Sequence, residues 1–410
     1  MRLVLVVPRF PRLSETFIAN KFVGLVDDGW DVHVVCQESA VADWDKLPSL
    51  AGRLALRRRV HAQWQHEPHW VVILLWLPVF LLTLLRAPGA TVRYWRVVGP
   101  EFGAATLKQF YMDAAIIALQ PAILHYEFGA LAVDKLYLKR ALGCRLSVSF
   151  RGYDLNYVGL DDPDYYGQLW ATVDAIHLLG HDLRRRALRR GCPPDKPYAL
   201  IPPAIDVGFF APADGARQPA TIGPDRPLRI LSVGRLEWKK GYEYALSAVR
   251  LLGERGVPFE YHIVGDGSFL ESLAFARYEL GLEDRVTFRG AQPHPAVLER
   301  MKWADVFLHP AVSEGFCNAV IEAQAMRLPV VAADADGLAE NVADGETGFV
   351  VARRDAAALA DKLALLAGDP ALRRRIGAAG RARVENCFSL PQQIAAFDRF
   401  YREGVTGHAH

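Results

Sequence analysis

What this sequence lacks excludes several chemistries. Its five cysteines lie far apart at positions 36, 144, 192, 317 and 387, without a CxxC pair or a run of metal-ligand residues. This scarcity predicts a reduced, cytosolic setting and no metal site. The net charge is only +2, which gives no sign of nucleic-acid binding. The GxSxG, HExxH and Walker A motifs and a complete GxGxxG run are also missing, so the enzyme classes that depend on them are not indicated.

Long apolar runs are scarce too, with one exception at residues 70–85. The start of the chain, residues 1–8, predicts a buried strand and not a signal peptide, because no small-residue cleavage site follows. Residues 70–85 are sixteen uncharged residues, slightly fewer than the roughly 17–25 that a spanning helix needs. Arginines at 57–59, 93 and 96 flank them, which is typical of contact with a membrane surface. A buried core helix and a spanning helix are the alternatives.

The length and the apolar pattern predict two α/β domains. At 410 residues the chain is long for a single core. Apolar runs of strand length alternate with helical patterns in both halves, which favours parallel sheets with ligands at the strand carboxyl ends. We predict a first domain over residues 1–205, a linker rich in Pro, Gly, Ala and Asp over 206–227, and a second domain over 228–387.

Polar residues follow the predicted strands of the first half and are therefore expected to face a cleft. The strand over residues 2–7 leads into a polar loop from residue 8 to 16, and Ser14 could also cap the helix that follows. Solvated loop charges, and a structural role for the histidine, are the alternatives. The candidates are Arg9, Ser14, Glu15, Thr16, His125, Arg151 and Asp154.

A glycine-bracketed basic loop follows the first strand of the second half. It runs from Gly234 to Gly241 and precedes a predicted helix. Gly234 permits close approach of a ligand, Arg235 and Lys240 supply charge-assisted hydrogen bonds, and the helix adds free amides. The loop therefore suits a diphosphate, and ordinary loop charges are the alternative.

Two carboxylates, Glu314 and Glu322, lie eight positions apart around a predicted helix over residues 318–326. Eight helical residues rise about 12 Å. This separation is large for two carboxylates that share one bond, since glycosidase pairs lie roughly 5–9.5 Å apart. The spacing fits better with two grips on one elongated, phosphate-bearing ligand, although two surface glutamates would give the same pattern.

The ordered motifs closely resemble those of GT-B glycosyltransferases of family GT4. These motifs are Gly234–Arg235 with Lys240–Gly241, Gly265–Asp266–Gly267, Phe288–Arg289–Gly290, the EX7E pair Glu314 and Glu322, and Gly337 with Glu340. The resemblance covers essentially the whole chain. Residues 14–18 and 314–320 further resemble the bacterial exopolysaccharide members of the colanic acid and amylovoran type.

The resemblance implies two Rossmann-like domains facing a central cleft, with the C-terminal helix, about residues 388–410, crossing back to the first domain. It also implies a retaining, metal-independent transfer from a UDP- or GDP-linked nucleotide sugar, without a cofactor. The acceptor would be a saccharide, polyprenyl-diphosphate-linked in exopolysaccharide assembly. The protein would then be cytoplasmic and peripheral on the cytoplasmic face of the inner membrane, and residues 70–85 would contact the membrane surface.

The resemblance also assigns roles to residues of the second domain. Arg235 and Lys240 would hold the donor diphosphate, Glu314 the transferred sugar and Glu322 the ribose. Residues 288–292 would lie near the base. Further donor contacts would come from Gly234, Arg289, Gly290, Gly315, Phe316, Cys317 and Asn318.

One departure from the family pattern concerns the acceptor side. Arg151–Gly152 stands where many members have His–Gly, and arginine cannot act as a base. The glycine pair usual in the first loop is also missing. Activity is still expected, because the leaving phosphate oxygen can take the acceptor proton. The alternative functions are a non-catalytic nucleotide-sugar-binding scaffold subunit of a membrane assembly and a GT-B-fold epimerase.

Overall fold

The computed structural model describes residues 1–12, 15–63, 69–212 and 219–405. The chain divides into two compact units, referred to below as the first and the second unit. The first comprises Met1–Leu179, Leu183–Ile201 and the described residues from Gln393 onward, and the second comprises Gly180–Asp182 and Pro202–Gln392. Each unit is built on its own parallel sheet, so the predicted α/β class with two Rossmann-like sheets is confirmed.

The sheet of the first unit has seven parallel strands in the described part of the chain. They are β1 (Arg2–Phe10), β2 (Asp31–Ser39), β3 (Val60–Ala62), β4 (Ile123–Tyr126), β5 (Arg145–Phe150), β6 (Ala175–Leu178) and β7 (Tyr198–Leu200). Their order in the sheet is β3-β2-β1-β4-β5-β6-β7. The central strands are buried along most of their length, as the continuous apolar runs predict for a sheet covered on both faces.

The first strand is longer than predicted. The apolar run ends at residue 7, but β1 continues to pair with β2 through Arg9↔Glu38 and Phe10↔Ser39. The prediction that Arg9 lies in a loop is therefore wrong. Its guanidinium forms ion pairs with Glu38 at 3.1 Å and Asp43 at 3.5 Å. Polar residues end the apolar pattern at this point, but pairing with β2 continues the strand to Phe10.

The helices of the first unit follow the predicted alternation with two differences. The N-cap position of the first helix is occupied by Glu15, and the proposed cap Ser14 lies outside the described residues. The short strand β3 was not predicted from the sequence. The helices are α1 (Thr16–Asp27), α2 (His69–Arg86), α3 (Pro88–Phe102), α4 (Thr106–Leu119), α5 (Tyr137–Leu142), α6 (Gly152–Tyr157), α7 (Gly167–Thr172) and α8 (His181–Arg189).

The apolar segment at residues 70–85 forms α2, and most of its large side chains are exposed. One side of α2 packs on α4, with Val79 buried beside Tyr111 and with the Trp76 indole donating to the Leu107 carbonyl at 2.9 Å. The opposite side, here called the α2 apolar face, consists of Trp70, Ile73, Leu74, Leu77, Leu81 and Leu85. The alternative of a buried core helix is therefore wrong for this face.

No single helix of the described chain has the length and apolar composition to cross a membrane. The helical stretches Trp70–Arg86 and Pro88–Leu119 meet these criteria only as a pair, and the pair is bent by 120°.

The second unit has a six-stranded parallel sheet within its described residues. The strands are β8 (Leu228–Val233), β9 (Phe259–Val264), β10 (Val286–Phe288), β11 (Val306–His309), β12 (Val330–Ala333) and β13 (Gly348–Val351). Their order is β10-β9-β8-β11-β12-β13. Helices cover the sheet: α9 (Tyr242–Glu254), α10 (Leu270–Glu279), α11 (His294–Trp303), α12 (Asn318–Ala325), α13 (Ala356–Gly368) and α14 (Pro370–Cys387). The helix α15 (Leu390–Arg399) follows, and its residues from Gln393 onward belong to the first unit.

The described C-terminal residues pack into the core of the first unit. A π-helical turn, Phe400–Val405, continues from α15. Phe397 and Tyr401 are buried in the same core cluster as β1 and α1. Gly24 of α1 lies against Ile394, where a Cβ would meet the isoleucine side chain. This packing covers the centre of the sheet next to β4 and β6.

Candidate functional site

Two glycine-containing turns meet at the carboxyl end of β8 in the second unit. Gly265, with φ of +145°, lies so close to Gly234 that a Cβ would collide with the Gly234 carbonyl oxygen. The turns are joined by backbone hydrogen bonds, including one from the Leu236 amide to the Asp266 carbonyl at 2.9 Å. Glycine is needed here because both the positive φ and the contact exclude a side chain. The pairing fixes the start of the basic loop.

The basic loop ends in a short 3₁₀ turn that aims Lys240 at the site. The turn spans Trp238–Lys240, and Gly241 follows in the left-handed conformation at the N-cap of α9. The Lys240 ammonium forms an ion pair with the Glu314 carboxylate. Gly234 lies against the Lys240 side chain, since a Cβ at Gly234 would stand 3.7 Å from the Lys240 Cε. The structure thus brings Gly234, Lys240 and Glu314 together.

The ion pair is buried, and this sets the protonation of its members. Burial alone would raise the pKa of Glu314, but the Lys240 ammonium, together with the neighbouring His309 ring, outweighs it and lowers this pKa to about 2. Burial lowers the pKa of Lys240, and Glu314 more than compensates, so the pKa stays above its ordinary value. The site therefore holds a fixed carboxylate and a fixed ammonium at neutral pH.

Glu314 lies in a loop and not in a helix. α12 begins at Asn318 with Cys317 at its N-cap, so only five of the positions from Glu314 to Glu322 are helical. The helix-rise argument for their separation therefore does not apply to the whole stretch. The loop is held by its carbonyl groups, since Glu314 accepts the Gly337 amide at 3.0 Å and Cys317 accepts the Asn341 side-chain amide at 3.0 Å.

Glu322 lies on the first turns of α12, and its side chain is mostly buried. His294 at the start of α11 approaches it, with 3.9 Å between the imidazole Nε2 and a carboxylate oxygen. The contact with Glu322 raises the pKa of His294, against the effect of burial. Glu322 therefore places a carboxylate oxygen near the His294 imidazole, in a contact distinct from the Lys240–Glu314 ion pair.

Arg235 and Arg289 contact partners other than Lys240 and Glu314. The side chain of Arg235 is 59 % exposed and forms an ion pair with Glu237 at 3.0 Å. The Arg289 guanidinium meets the His262 imidazole at 2.8 Å, and that ring stacks on Trp303 with 3.9 Å between centroids. Gly290 contributes its carbonyl to the Gly265 amide. Gly315 and Phe316 lie in the loop between Glu314 and Cys317.

The structure buries His125, one of the predicted cleft residues of the first unit. Its two ring nitrogens meet the hydroxyls of Ser147 and Ser149, each at 2.8 Å. The ring of Tyr401 lies edge-on to it at 5.4 Å, and its exposed fraction is 0 %. Burial lowers its pKa well below the ordinary value, and Lys21 adds to the effect. His125 is therefore a neutral core residue in this structure.

Arg151 stands at the end of β5 within a buried ionic cluster. Its guanidinium donates to Glu127 at 2.9 Å and stacks on Phe17 at 3.9 Å from the ring centroid. The other oxygen of Glu127 accepts from Lys21 at 2.7 Å. Lys21, Glu127 and Arg151 together fix the position of the arginine. Arg151, which stands where many members of the resembling family have histidine, is thus a cation with its own carboxylate partner.

The remaining first-unit candidates lie around Arg151 and at the start of α1. Asp154 caps α6 by accepting from the backbone amides of Arg151 at 3.0 Å and Ala130 at 3.1 Å, and burial raises its pKa to about 6. Glu15 forms an ion pair with Arg12 at 2.9 Å, and burial raises its pKa. Thr16 opens α1.

Four site residues were missed by the sequence prediction: Lys21, Glu127, His309 and Asn341. Glu127 and His309 stand at the carboxyl ends of β4 and β11, which is the signal that identified His125 and Arg151. Lys21 lies inside α1 and Asn341 in a distant loop, so only the folded chain reveals their contacts. His309, Glu314 and Cys317 also form a group of metal-ligand residues, although their sequence spacing predicts none.

Comparison with known proteins gives a consistent picture. Residues 217–383 match the model of the family "Glycosyl transferases group 1". The chain is 29% identical to WcaL of Escherichia coli K12, named for colanic acid biosynthesis, over 87% of this chain and 88% of the relative. It is 27% identical to the amylovoran biosynthesis glycosyltransferase AmsK of Erwinia amylovora, over 96% and 97%.

Solved structures resemble the whole chain in fold. A glycosyltransferase from Rickettsia africae superposes with a TM-score of 0.71 at 16% identity and covers 99% of both chains. Anabaena Alr3699/HepE in complex with UDP and glucose gives a TM-score of 0.71 at 14% identity, over 98% of this chain and 100% of that chain.

Proposed function

Because this chain is a glycosyltransferase with the GT-B fold, in which residues 217–383 match the group 1 family, we propose that it transfers a sugar with retention from a nucleotide-diphosphate sugar to a saccharide acceptor. The observation that carries the proposal is the buried Lys240–Glu314 ion pair at the carboxyl edge of the second unit's sheet. A lysine ammonium beside a carboxylate suits a ligand that carries both phosphates and hydroxyls.

The donor lies across the start of α9 and α12. Lys240 and the N-terminal amides of these helices bind the diphosphate, since both the ammonium and the helix ends attract anions. Glu314 accepts hydrogen bonds from hydroxyls of the transferred sugar, and Glu322 accepts them from the ribose. The complexes of Anabaena Alr3699/HepE with UDP and with UDP-glucose support a uridine nucleotide as the first donor to test.

The chemistry needs neither a protein base nor a metal ion. The bond between the sugar C1 and the leaving phosphate oxygen breaks while the acceptor oxygen bonds to C1 on the same face. The acceptor proton passes to the departing phosphate oxygen. Lys240 stabilises the negative charge that grows on the diphosphate, the kind of electrostatic contribution that is often the largest in catalysis. Arg151, held by Glu127, orients the acceptor side and does not take a proton.

The biological setting is bacterial exopolysaccharide assembly on the cytoplasmic face of the inner membrane. The names of WcaL and AmsK refer to the biosynthesis of colanic acid and amylovoran, and both relatives match most of this chain. The acceptor is then a saccharide on a polyprenyl diphosphate, which would be presented at the membrane surface. The α2 apolar face supports peripheral attachment, because so many exposed large apolar side chains in one helix mark an interaction surface.

Basic residues that end α2 or flank it in the sequence suit an anionic lipid surface. Arg58, Arg86 and Arg96 are exposed within the first unit. Arginines beside an apolar helix bind lipid phosphates while the apolar side chains enter the acyl region. A cavity of about 310 Å³ beneath α2, lined by Leu82, Ala118 and Arg86 among others, offers space for part of a lipid chain.

The membrane attachment is tested with Ile73→Glu and Leu77→Glu. Burial of one such side chain contributes about 1.5–3 kcal/mol, so each change should weaken binding to anionic phospholipid vesicles at least about tenfold. Co-sedimentation with vesicles measures this. The control is Leu365→Glu, since Leu365 is a comparably exposed leucine on α13 of the second unit and its replacement should leave binding unchanged. If the unaltered protein stays in the supernatant, the membrane proposal fails.

The transfer itself is tested with purified protein, UDP- and GDP-sugars and a crude lipid-linked acceptor. We expect release of the nucleoside diphosphate only when donor and acceptor are both present, undiminished by a chelator. NMR of the product should show the anomeric configuration of the donor. Inversion would refute the retaining mechanism. Tight donor binding without transfer would favour the scaffold function, and conversion of the donor without acceptor would favour an epimerase.

A further inference from the structure

Three side chains that are common metal ligands converge in the second unit. His309, Glu314 and Cys317 each offer one ligand atom, and these atoms lie within 4.8 Å of one another. His309 and Cys317 are buried, and Glu314 is largely covered. The donor function proposed above uses Glu314 but gives no role to the imidazole or the thiol.

The backbone holds this cluster in place before any ligand arrives. All three residues come from one short segment, with His309 at the end of β11 and Cys317 at the N-cap of α12. Asn341 bonds the backbone of Cys317 from both sides, through its Oδ1 at 3.4 Å and its Nδ2 at 3.0 Å. Convergence from a fixed strand end and a fixed helix start is the preorganisation that a metal site requires.

His309 supplies a second, independent indication of a ligand. Its Nδ1 faces the Cys317 Sγ at 3.9 Å. Its Nε2 is buried without a hydrogen-bond partner among the described residues, and the nearest Glu314 oxygen at 3.8 Å is too distant for a hydrogen bond. Buried polar atoms are normally partnered, so an orphaned nitrogen beside a carboxylate, on a ring whose other nitrogen faces a thiol, suggests a ligand in this cluster.

We propose that His309, Glu314 and Cys317 form a binding site for a thiophilic divalent cation of the Zn²⁺ class, separate from the catalytic reaction. One nitrogen, one oxygen and one sulfur ligand match the three-protein-ligand sites in which zinc keeps a fourth position open. Zinc ligands lie about 2.0–2.3 Å from the ion, so the three atoms must close in by about 1 Å. Mg²⁺ should not bind, because it prefers an all-oxygen shell.

Occupation of this site would inhibit the enzyme. Lys240 shares Glu314 with the metal site, and a divalent cation bonded to this buried carboxylate repels an ammonium a few ångströms away. A bound Zn²⁺ therefore displaces the ammonium that grips the donor diphosphate. This consequence rests on the proposed function, whereas the existence of the site does not.

The site is tested by titrating the full-length protein with Co²⁺ and following the thiolate-to-metal charge-transfer absorption. We expect a band with one equivalent of Co²⁺, its loss on addition of Zn²⁺, and no competition from Mg²⁺. Cys317→Ser should abolish the band, and His309→Ala should weaken binding by more than about 100-fold, since loss of an outer-shell partner alone costs about 10–100-fold. The control is Cys387→Ser, which removes an exposed thiol of the same unit and should change nothing.

A gain-of-affinity variant separates this interpretation from misfolding. Lys240→Met removes the competing cation and should tighten Co²⁺ binding, which an unfolded protein would not do. Retention of the band in Cys317→Ser, its loss in Cys387→Ser, or weaker binding in Lys240→Met would each overturn the site. His408 and His410 do not confuse the measurement, because imidazoles give no thiolate band.

The inhibitory consequence is measured separately, as the affinity for UDP with and without saturating Zn²⁺. A fall in UDP affinity that disappears in Cys317→Ser supports inhibition. Unchanged UDP affinity refutes the inhibition and leaves the metal site standing. If UDP and GDP both fail to bind while the Co²⁺ band forms, the proposed donor function fails and the metal site is retained.

Discussion

Lys240→Met should lower kcat/KM for the nucleotide sugar by about 10²–10³-fold, the range found when one preorganised charge-stabilising donor is removed. Lys240 is the only lysine or arginine in direct contact with Glu314 among the described residues. Methionine keeps most of the side-chain volume, so the loss comes from the missing positive charge. Initial rates of nucleoside diphosphate release, measured over a range of donor concentrations, give the change.

The matched control for this prediction is Lys239→Met. Lys239 precedes Lys240 in the same turn but forms its ion pair with Glu237 at 3.2 Å. The Lys239–Glu237 pair is partly exposed and does not include Glu314, and surface ion pairs contribute about 0–1 kcal/mol, so this change should alter kcat/KM by less than about fivefold. Equal losses in the two variants would mean that the loop needs positive charge in general, and an unchanged rate in Lys240→Met would refute the donor-site assignment.

Loss of the Lys240 charge should also change the titration of its partner. The pKa of Glu314 is held at about 2 by Lys240 and His309, against the effect of burial. Without the ammonium, burial acts with less opposition and this pKa rises. Donor binding that remains in Lys240→Met should therefore weaken at a higher pH on acidification than it does in the unaltered protein.

Glu127→Gln should destabilise the first unit by about 3–5 kcal/mol, the cost of breaking a buried ion pair by removing one partner. Glu127 is fully buried and its two carboxylate oxygens accept from Lys21 and Arg151. Glutamine has the same shape but only one acceptor oxygen and no charge. Lys21 is therefore left as an uncompensated cation in the core.

The pH dependence identifies Lys21 as the cause. Burial lowers the pKa of Lys21 to about 8, although Glu127 raises it. Between about pH 8 and the ordinary lysine value the unfolded chain binds more protons than the folded chain, so stability rises with pH in this window. Removal of Glu127 lowers the folded-state pKa further and extends the window toward neutral pH. The deficit of Glu127→Gln should therefore shrink as the pH is raised.

Hydrogen exchange followed by mass spectrometry locates this effect, because a two-unit chain need not unfold in one step. Faster exchange is expected in β4 and β5, with the second unit unchanged. The control is Glu101→Gln, which breaks the exposed Glu101–Arg140 pair of the same unit and should cost under about 1 kcal/mol. Equal effects of Glu127→Gln and Glu101→Gln would show that the buried cluster is not a special source of stability.

Most of the sheet framework could be predicted because it depends on local pattern. The strands β5 and β8 mix apolar with polar residues and β12 is a continuous apolar run, and each of these patterns is recognisable in the sequence between polar turns. β3 and the end of β1 were missed, because short or polar segments become strands only when a neighbour offers its hydrogen bonds. The apolar segment predicted α2 and its contact with a membrane surface, but it did not show which side chains form the exposed face.

Some features of the candidate site could also be predicted from the sequence, and others could not. The Lys240–Glu314 pair was predictable as two ligand-binding residues at strand ends, although their mutual ion pair was not. His125 occupies a similar position at the end of β4, yet Tyr401 and the core around it remove it from the surface. A residue at a strand end is therefore only a candidate until the packing above that edge is known.

The sequence by itself determined the α/β class, the glycine-bracketed loop from Gly234 to Gly241, and the positions of Lys240 and Glu314 in loops that follow strands. These features depend on residues close together in the chain. Only the tertiary structure decided that Glu127 bonds Lys21 across 106 residues and that Arg151 is thereby fixed. Such pairs form because folding buries their charges together, and no local pattern records which distant side chain will share the same core.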